Sequence, residues 1–254
     1  MKNLPIGVFD SGMGGISVLR EIKKLMPNED YIYYGDSKNI PYGKKTKEEL
    51  EKICLYIGDY FVDRGVKSIV IACNTATSTV VDKFRSRYKI PIIGIEPALK
   101  PAVETYESGK IVVLATEVTL KEKKFNALMN QYKNKAEIIK IPAPRLVTVV
   151  ENGITEGIEA EESIKELFKD INIEEISSIV LGCTHYIFLR NAIKKVLGEN
   201  VKLIDGGYGT AHNLKKILFS MDMLSNNDID GCVEVVNSSE DESKIELSYK
   251  LLNI

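Results

Sequence analysis

With 254 residues the chain can form one large domain or two of roughly 100–150 residues, each able to bury a core. Lys plus Arg at 34 against Asp plus Glu at 36 leaves a formal charge of −2, so no global field draws the chain to nucleic acid or to an anionic membrane. The composition is 44% apolar and 28% charged, no apolar run approaches the ~20 residues that span a bilayer, and Asp10 breaks the N-terminal segment before a signal-peptide core develops. A cytoplasmic protein with no membrane or nucleic-acid partner is expected. Its four cysteines are too few for a disulfide framework, so each is structural, catalytic or metal-binding.

In chain order, short apolar runs predict strands at residues 6–9, 31–34, 68–72, 91–95, 111–115, 137–141, 178–182 and 201–204. Amphipathic segments lie between them. In residues 46–63, for example, Leu50, Ile53, Cys54, Ile57 and Phe61 fall on one helical face, which makes Cys54 a core residue. Strand then helix, repeated, predicts an α/β fold with mostly parallel sheets and right-handed crossovers. The strand Ser68-Ile69-Val70-Ile71-Ala72-Cys73 reappears, class by class, as Ser178-Ile179-Val180-Leu181-Gly182-Cys183, and the next strand follows each cysteine at the same offset. Two pseudo-symmetric halves are the economical reading, each a mostly parallel sheet flanked by helices. The stretch Asp205-Gly206-Gly207-Tyr208-Gly209 takes the chain back toward the first half. His212 falls in a helical pattern beyond it, Cys232 is expected in the core from a tail strand, and residues 238–244 read as a surface loop.

In a parallel sheet, ligands bind beyond the carboxyl ends of the strands. Asp10-Ser11, Cys73-Asn74-Thr75, Ala115-Thr116 and Cys183-Thr184-His185 stand there. The block Asp10–Gly15 is not a dinucleotide loop, because Ser17 replaces its third glycine and no acidic residue clearly closes the second strand about 20 residues on. What remains is a Gly-rich turn opening a helix, suited to a carboxylate or to a side-chain cap. Tyr34-Gly35-Asp36 with Ile40-Pro41-Tyr42-Gly43 forms a loop punctuated by Pro and Gly. A single buried Cys is commonly a small hydrophobe, but matched strand-end thiols beside polar residues point to chemistry. Cys73, Cys183 and His185 lack zinc-ligand spacing, and neither thiol has the near partner of a redox dithiol. Two thiols on opposite faces of one carbon suit stereoinversion, which needs two acid/base groups of similar pKa. Cys at ~8.5 lies within reach of that work, with Asp10 and His185 as natural assistants.

The segments Ile6–Gly12, Gly35-Asp36 with Pro41-Tyr42-Gly43, Ile71-Ala72-Cys73-Asn74-Thr75-Ala76, Gly94-Ile95-Glu96-Pro97 and Leu181-Gly182-Cys183-Thr184-His185-Tyr186 together resemble the glutamate racemases of the aspartate/glutamate racemase superfamily, across about residues 5–215. That resemblance implies interconversion of L- and D-glutamate without cofactor or metal, supplying D-glutamate for peptidoglycan. It implies Cys73 as the base for D-glutamate, assisted by Asp10, and Cys183 as the base for L-glutamate, assisted by Glu151 and His185. Substrate contacts would come from Asp10, Ser11, Pro41, Tyr42, Gly43, Asn74, Thr75, Thr184 and His185. It also implies a discontinuous first domain of residues 1–96 plus 207–254, a second of residues 97–206, an active site in the cleft between them and a homodimeric assembly. Two segments depart from the family wording. Ala143-Pro144 stands where Cys-Pro is frequent, so Glu151 is placed by Val150-Glu151-Asn152-Gly153 alone, and Thr116-Glu117-Val118-Thr119 differs as well. Aspartate racemisation is the same-class alternative. A decarboxylase needs only one such thiol, and a two-domain solute-binding protein gives no reason for a matched pair.

Overall fold

Each predicted apolar run forms a strand in the computed structural model, which describes residues 2–105 and 109–253. The first stretch of chain carries β1 (Ile6–Asp10), α1 (Ile16–Leu25), β2 (Tyr31–Gly35), α2 (Lys47–Asp63), β3 (Ser68–Ile71), α3 (Asn74–Arg87) and β4 (Ile92–Gly94). Next come α4 (Leu99–Glu104), β5 (Lys110–Ala115), α5 (Glu117–Lys121), α6 (Lys123–Tyr132), β6 (Glu137–Pro142), α7 (Pro144–Glu151), α8 (Ile158–Phe168), β7 (Ile176–Leu181), α9 (Arg190–Leu197) and β8 (Lys202–Asp205). The return segment adds α10 (Gly207–Ser220), β9 (Val233–Asn237) and α11 (Glu242–Leu252). The chain divides into two compact units, Met1–Glu96 with Gly207–Ile254, and Pro97–Gly206.

Local sequence accounts for the elements. α2 begins with a capping box, in which the Thr46 hydroxyl accepts from the Glu49 N–H (3.2 Å) and the Glu49 carboxylate accepts from the Thr46 N–H (2.7 Å). Its apolar face, Leu50, Cys54, Ile57 and Phe61, packs with Phe9, Ile69 and Ile71 of the first sheet and with Val80 and Phe84 of α3. Val8 and Val70 point to the opposite face and are equally buried, beneath the side where α1 packs on α10 and α11. Both faces are thus covered, which is why the strands read as unbroken apolar runs rather than as alternations. In the second unit Ile111, Val113 and Val180 pack against Leu99 of α4 and Phe125 and Met129 of α6.

Every strand pair is parallel. The strand orders are β4-β3-β1-β2-β9 and β6-β5-β7-β8. Counted within its own unit, each sheet reads 2-1-3-4, with β9 added beside β2 in the first. In both units the third strand lies against the first, and in both it is the strand that leads to a cysteine. A matched peculiarity accompanies the repeat, since the hydroxyls of Ser68 and Ser178 are both buried with no hydrogen-bond partner among the described residues.

The C-terminal segment corrects two expectations. Cys232 is exposed, not in the core. It immediately precedes β9, an edge strand paired only with β2, where alternation buries Val235 and Asn237 and turns Glu234 to solvent. Residues 238–244 are a loop only as far as Asp241, whose carboxylate caps α11 by accepting from the Ser243 N–H (2.9 Å).

A buried ion pair fastens this segment to the amino edge of the first sheet. Lys67, just before β3, and Glu29, just before β2, are 1% and 2% exposed and bonded to one another. The Lys67 ammonium also donates to the carbonyls of Lys2 and of Met223 (2.9 Å), and Glu29 accepts from the Ser225 N–H (2.8 Å). Removing one partner strands a buried charge. Lys67→Met should lower the unfolding free energy by about 3–5 kcal/mol in urea titrations, and the double variant Lys67→Met/Glu29→Leu should regain much of it.

Candidate functional site

In the first unit, β1 ends in Asp10, a fully buried carboxylate that accepts from the Gly12 N–H (3.1 Å). The following turn folds tightly over the strand ends because Gly15 has no side chain. A Cβ there would sit 2.5 Å from Asp10 Cβ and 3.1 Å from Ala72 Cβ. Glycine in this block therefore serves helix-to-sheet packing. Cys73 leaves β3 as the N-cap of α3, with Sγ accepting from the Ala76 N–H (3.5 Å) and lying 3.7 Å from Ser11 Oγ. The positive end of the α3 dipole thus faces the sulfur, and negative charge is favoured there. Asn74 and Thr75, the first residues of α3, are buried. Asn74 Oδ1 has no hydrogen-bond partner among the described residues, and a buried acceptor of that kind is set to receive a donor.

An acidic residue does close the second strand, contrary to expectation, because β2 runs to Gly35 and Asp36 follows directly. It is no ribose-binding group. The buried Asp36 carboxylate accepts from the Tyr42 hydroxyl (2.6 Å) and Asn39 Nδ2 (3.0 Å), and its N–H donates to the Asp10 carbonyl (3.0 Å). Asp36 therefore ties the loop carrying Pro41, Tyr42 and Gly43 to the end of β1. Burial above all, then the neighbouring Cys54 and Asp36, holds the Tyr42 phenol well above its ordinary pKa, so its hydroxyl stays protonated and committed to Asp36. Pro41 is exposed and Gly43 half-buried.

The second unit builds a different arrangement around Cys183. Gly182 permits β7 to end hard against β5, since a Cβ there would lie 2.9 Å from both the Leu114 carbonyl and Ala115 Cβ. The chain then makes a 3-10 turn over Thr184–Leu189. Cys183 Sγ lies 3.7 Å from His185 Nδ1, and His185 Nε2 lies 2.7 Å from Glu151 Oε1. Glu151 is the last residue of α7, a helix opened by Pro144 at its first turn. Thr184, His185 and Glu151 are all buried. Burial by itself pulls the His185 imidazolium down, yet hydrogen bonds to Cys183 and Glu151 outweigh it and leave the group well above its ordinary value. A sulfur, an imidazole whose pKa is raised and a carboxylate in succession can hold and move a proton at the sulfur.

The structure thus brings Ser11 to Cys73, and His185 with Glu151 to Cys183. Asp36 and Tyr186 are not singled out as site residues by sequence. The available signals were the position of Asp36 directly after a strand and of Tyr186 directly after His185. Among the described residues no three His, Cys, Asp or Glu side chains are grouped to hold a metal ion, and no helix is long and apolar enough to cross a membrane.

Two units of parallel sheet, each ending its third strand in a buried cysteine with polar neighbours, define a class that comparison with known proteins makes specific. The sequence model of the Asp/Glu/hydantoin racemase family matches residues 6–212. A glutamate racemase of Clostridium novyi is 51% identical over 256 residues, which covers 100% of this chain and 99% of that protein. Another, from Clostridium botulinum, is 48% identical over 252 residues, covering 99% and 98%. Among solved structures, a glutamate racemase isoform from Bacillus anthracis matches with a TM-score of 0.88 at 30% identity, over 100% of this chain and 96% of that one. The Francisella tularensis glutamate racemase in complex with D-glutamate matches with a TM-score of 0.84 at 28% identity, over 100% and 95%. The chain belongs to the Asp/Glu/hydantoin racemase family, and its class of enzyme is isomerase.

The His185 shift predicts a pH dependence of stability. The native state binds this proton more tightly than the unfolded chain, so the stabilisation is complete below about pH 6.5 and is lost as pH rises through the raised native value. Unfolding midpoints of the wild type and Glu151→Gln should accordingly differ most near pH 6 and converge with increasing pH.

Proposed function

We propose that the protein interconverts L- and D-glutamate by a two-base mechanism, with Cys73 and Cys183 addressing opposite faces of the substrate Cα. The observation that carries this reading is the matched placement of the two thiols. Each follows the third strand of a 2-1-3-4 sheet, and each has its own stabilising neighbours, Ser11 and the α3 N-terminus for Cys73, His185 and Glu151 for Cys183.

Starting from L-glutamate, the Cys183 thiolate takes the α-proton; the C–H bond breaks and an S–H bond forms. The Cys73 thiol then delivers its proton to the other face and becomes the thiolate. The protein that releases D-glutamate therefore carries its proton on the opposite sulfur from the one that bound L-glutamate, and the reverse reaction restores it. The His185 imidazolium supports the Cys183 thiolate, with Glu151 holding the imidazole in place. The Ala76 N–H and the Ser11 hydroxyl support Cys73 from their side, and Asp10, buried at the end of β1, assists there. The scheme needs no cofactor. For the substrate itself, the unpartnered Asn74 Oδ1 suits an ammonium donor, while hydroxyls of Ser11, Thr75 and Thr184 and the backbone at Pro41, Tyr42 and Gly43 suit its two carboxylates. The Tyr42 hydroxyl itself is engaged with Asp36, so its residue serves through backbone and packing. Supply of D-glutamate for peptidoglycan, a cytoplasmic location and a homodimeric assembly go with the same reading.

Chiral analysis of L-glutamate incubated with dialysed, reduced protein tests the activity, and D-glutamate should accumulate toward an equal mixture. Cys73→Ala and Cys183→Ala should each cut racemisation by about 10²–10⁴-fold. Solvent deuterium should still enter L-glutamate in Cys73→Ala and D-glutamate in Cys183→Ala. Retention of two-way racemisation by either variant, or exchange of the same enantiomer by both, would overturn the two-thiol assignment.

Substrate length gives a separate test. Aspartate is one methylene shorter and leaves buried donors unpaired, so its kcat/KM should fall about tenfold or more below that of glutamate. Equal values for the two acids would favour a broader acidic-amino-acid racemase.

A further inference from the structure

Two neighbouring residues of the turn after β7 hold opposite ends of one helix. His185 Nε2 meets Glu151 Oε1 (2.7 Å) at the C-terminal end of α7, and the Tyr186 hydroxyl donates to the carbonyl of Ala143 (2.8 Å), the N-cap residue of the same helix. At 1.5 Å per residue the eight-residue α7 is about 12 Å long, so this pair of adjacent side chains spans its whole length. The Ala143 N–H also donates to the Ala115 carbonyl (3.2 Å), which places the helix start beside the end of β5. Tyr186 is completely buried, and its own N–H donates to the Cys183 carbonyl (3.2 Å). Burial first, then the adjacent Cys183 side chain, pushes its phenol far above the ordinary value, which keeps the hydroxyl a donor at every working pH.

A helix of eight residues moves as a stiff rod. A slide along its axis at Ala143 arrives undiminished at Glu151, and a displacement of about half an ångström is enough to disturb a functional constellation. We propose that Tyr186 is a positioning residue, whose hydroxyl sets the axial register of α7 and so keeps Glu151 on His185 Nε2, with Nδ1 turned to Cys183. The assignment rests on the two-thiol reading for its catalytic consequence, but not for its structural one.

Tyr186→Phe deletes one oxygen and keeps the ring. Nitrogen-15 imidazole spectra resolve the outcome directly, because His185 shares the chain only with the exposed His212. In Tyr186→Phe the His185 titration should move down toward its ordinary range. In a Cys73→Ala background, deuterium exchange into L-glutamate should slow by about tenfold or more, in kcat rather than KM. Exchange into D-glutamate in a Cys183→Ala background should be unchanged. An unmoved His185 titration, or equal slowing of both exchanges, would overturn the proposal. Should the chain show no activity on glutamate at all, the His185 spectra still decide it, so the two readings fail separately. If Tyr186→Phe proves too unstable to titrate, Tyr186→Met carries the same test with a side chain flexible enough to refill the space.

Discussion

Parallel pairing of the third strand with the first, β3 with β1 and β7 with β5, is the constraint on which the surroundings of both strand-end cysteines depend. Because all neighbours run the same way, the carboxyl ends of a unit's strands share one edge. Because the second strand lies on one side of that pair and the fourth on the other, the connections leave it in opposite directions and open a space above it. Whatever follows the first and third strands must meet there. Ser11 thereby comes within reach of Cys73, and Gly182 is pressed against the end of β5 just before Cys183. Glycine at positions 15 and 182 is what allows so close an approach.

Upon this common frame the two units treat their sulfurs differently. Cys73 meets the first N–H groups of its own helix and the Ser11 hydroxyl, which comes from the turn after β1. Cys183 is served by a formal charge, and that charge needs a carboxylate from elsewhere in the sequence. Glu151 and His185 are buried as a hydrogen-bonded pair, and bonds to Cys183 first and to Glu151 next hold the imidazole proton against the pull of burial. The surroundings of Cys183 therefore depend on the placement of an entire helix, α7.

Much of this was legible from residue order. The apolar runs marked eight of the strands, since a doubly covered strand must be apolar on both faces, and the recurrence of Ser-Ile-Val before each cysteine revealed the repeat. Where the interior rule weakened, so did the reading. Cys232 looked like a core residue, yet an edge strand paired on one side leaves half of its positions in solvent. Asp36 was invisible as the closing acid of β2 because the strand ran one residue farther than its apolar run. Lys67 and Glu29 have nothing in their neighbourhood of sequence to separate them from surface charges, and only their meeting across the base of the sheet explains their burial.

Residue order by itself determined the α/β class, the two matched thiols, the polar residues next to each and the family resemblance, because all of these are written in local periodicity and short contiguous motifs. Only the tertiary structure decided that Glu151 reaches His185, that Tyr42 spends its hydroxyl on Asp36 and that Tyr186 grips the start of α7. Those contacts join residues from separate elements, and their formation depends on distances of a few tenths of an ångström set by how helices pack on sheets, which no linear spacing encodes.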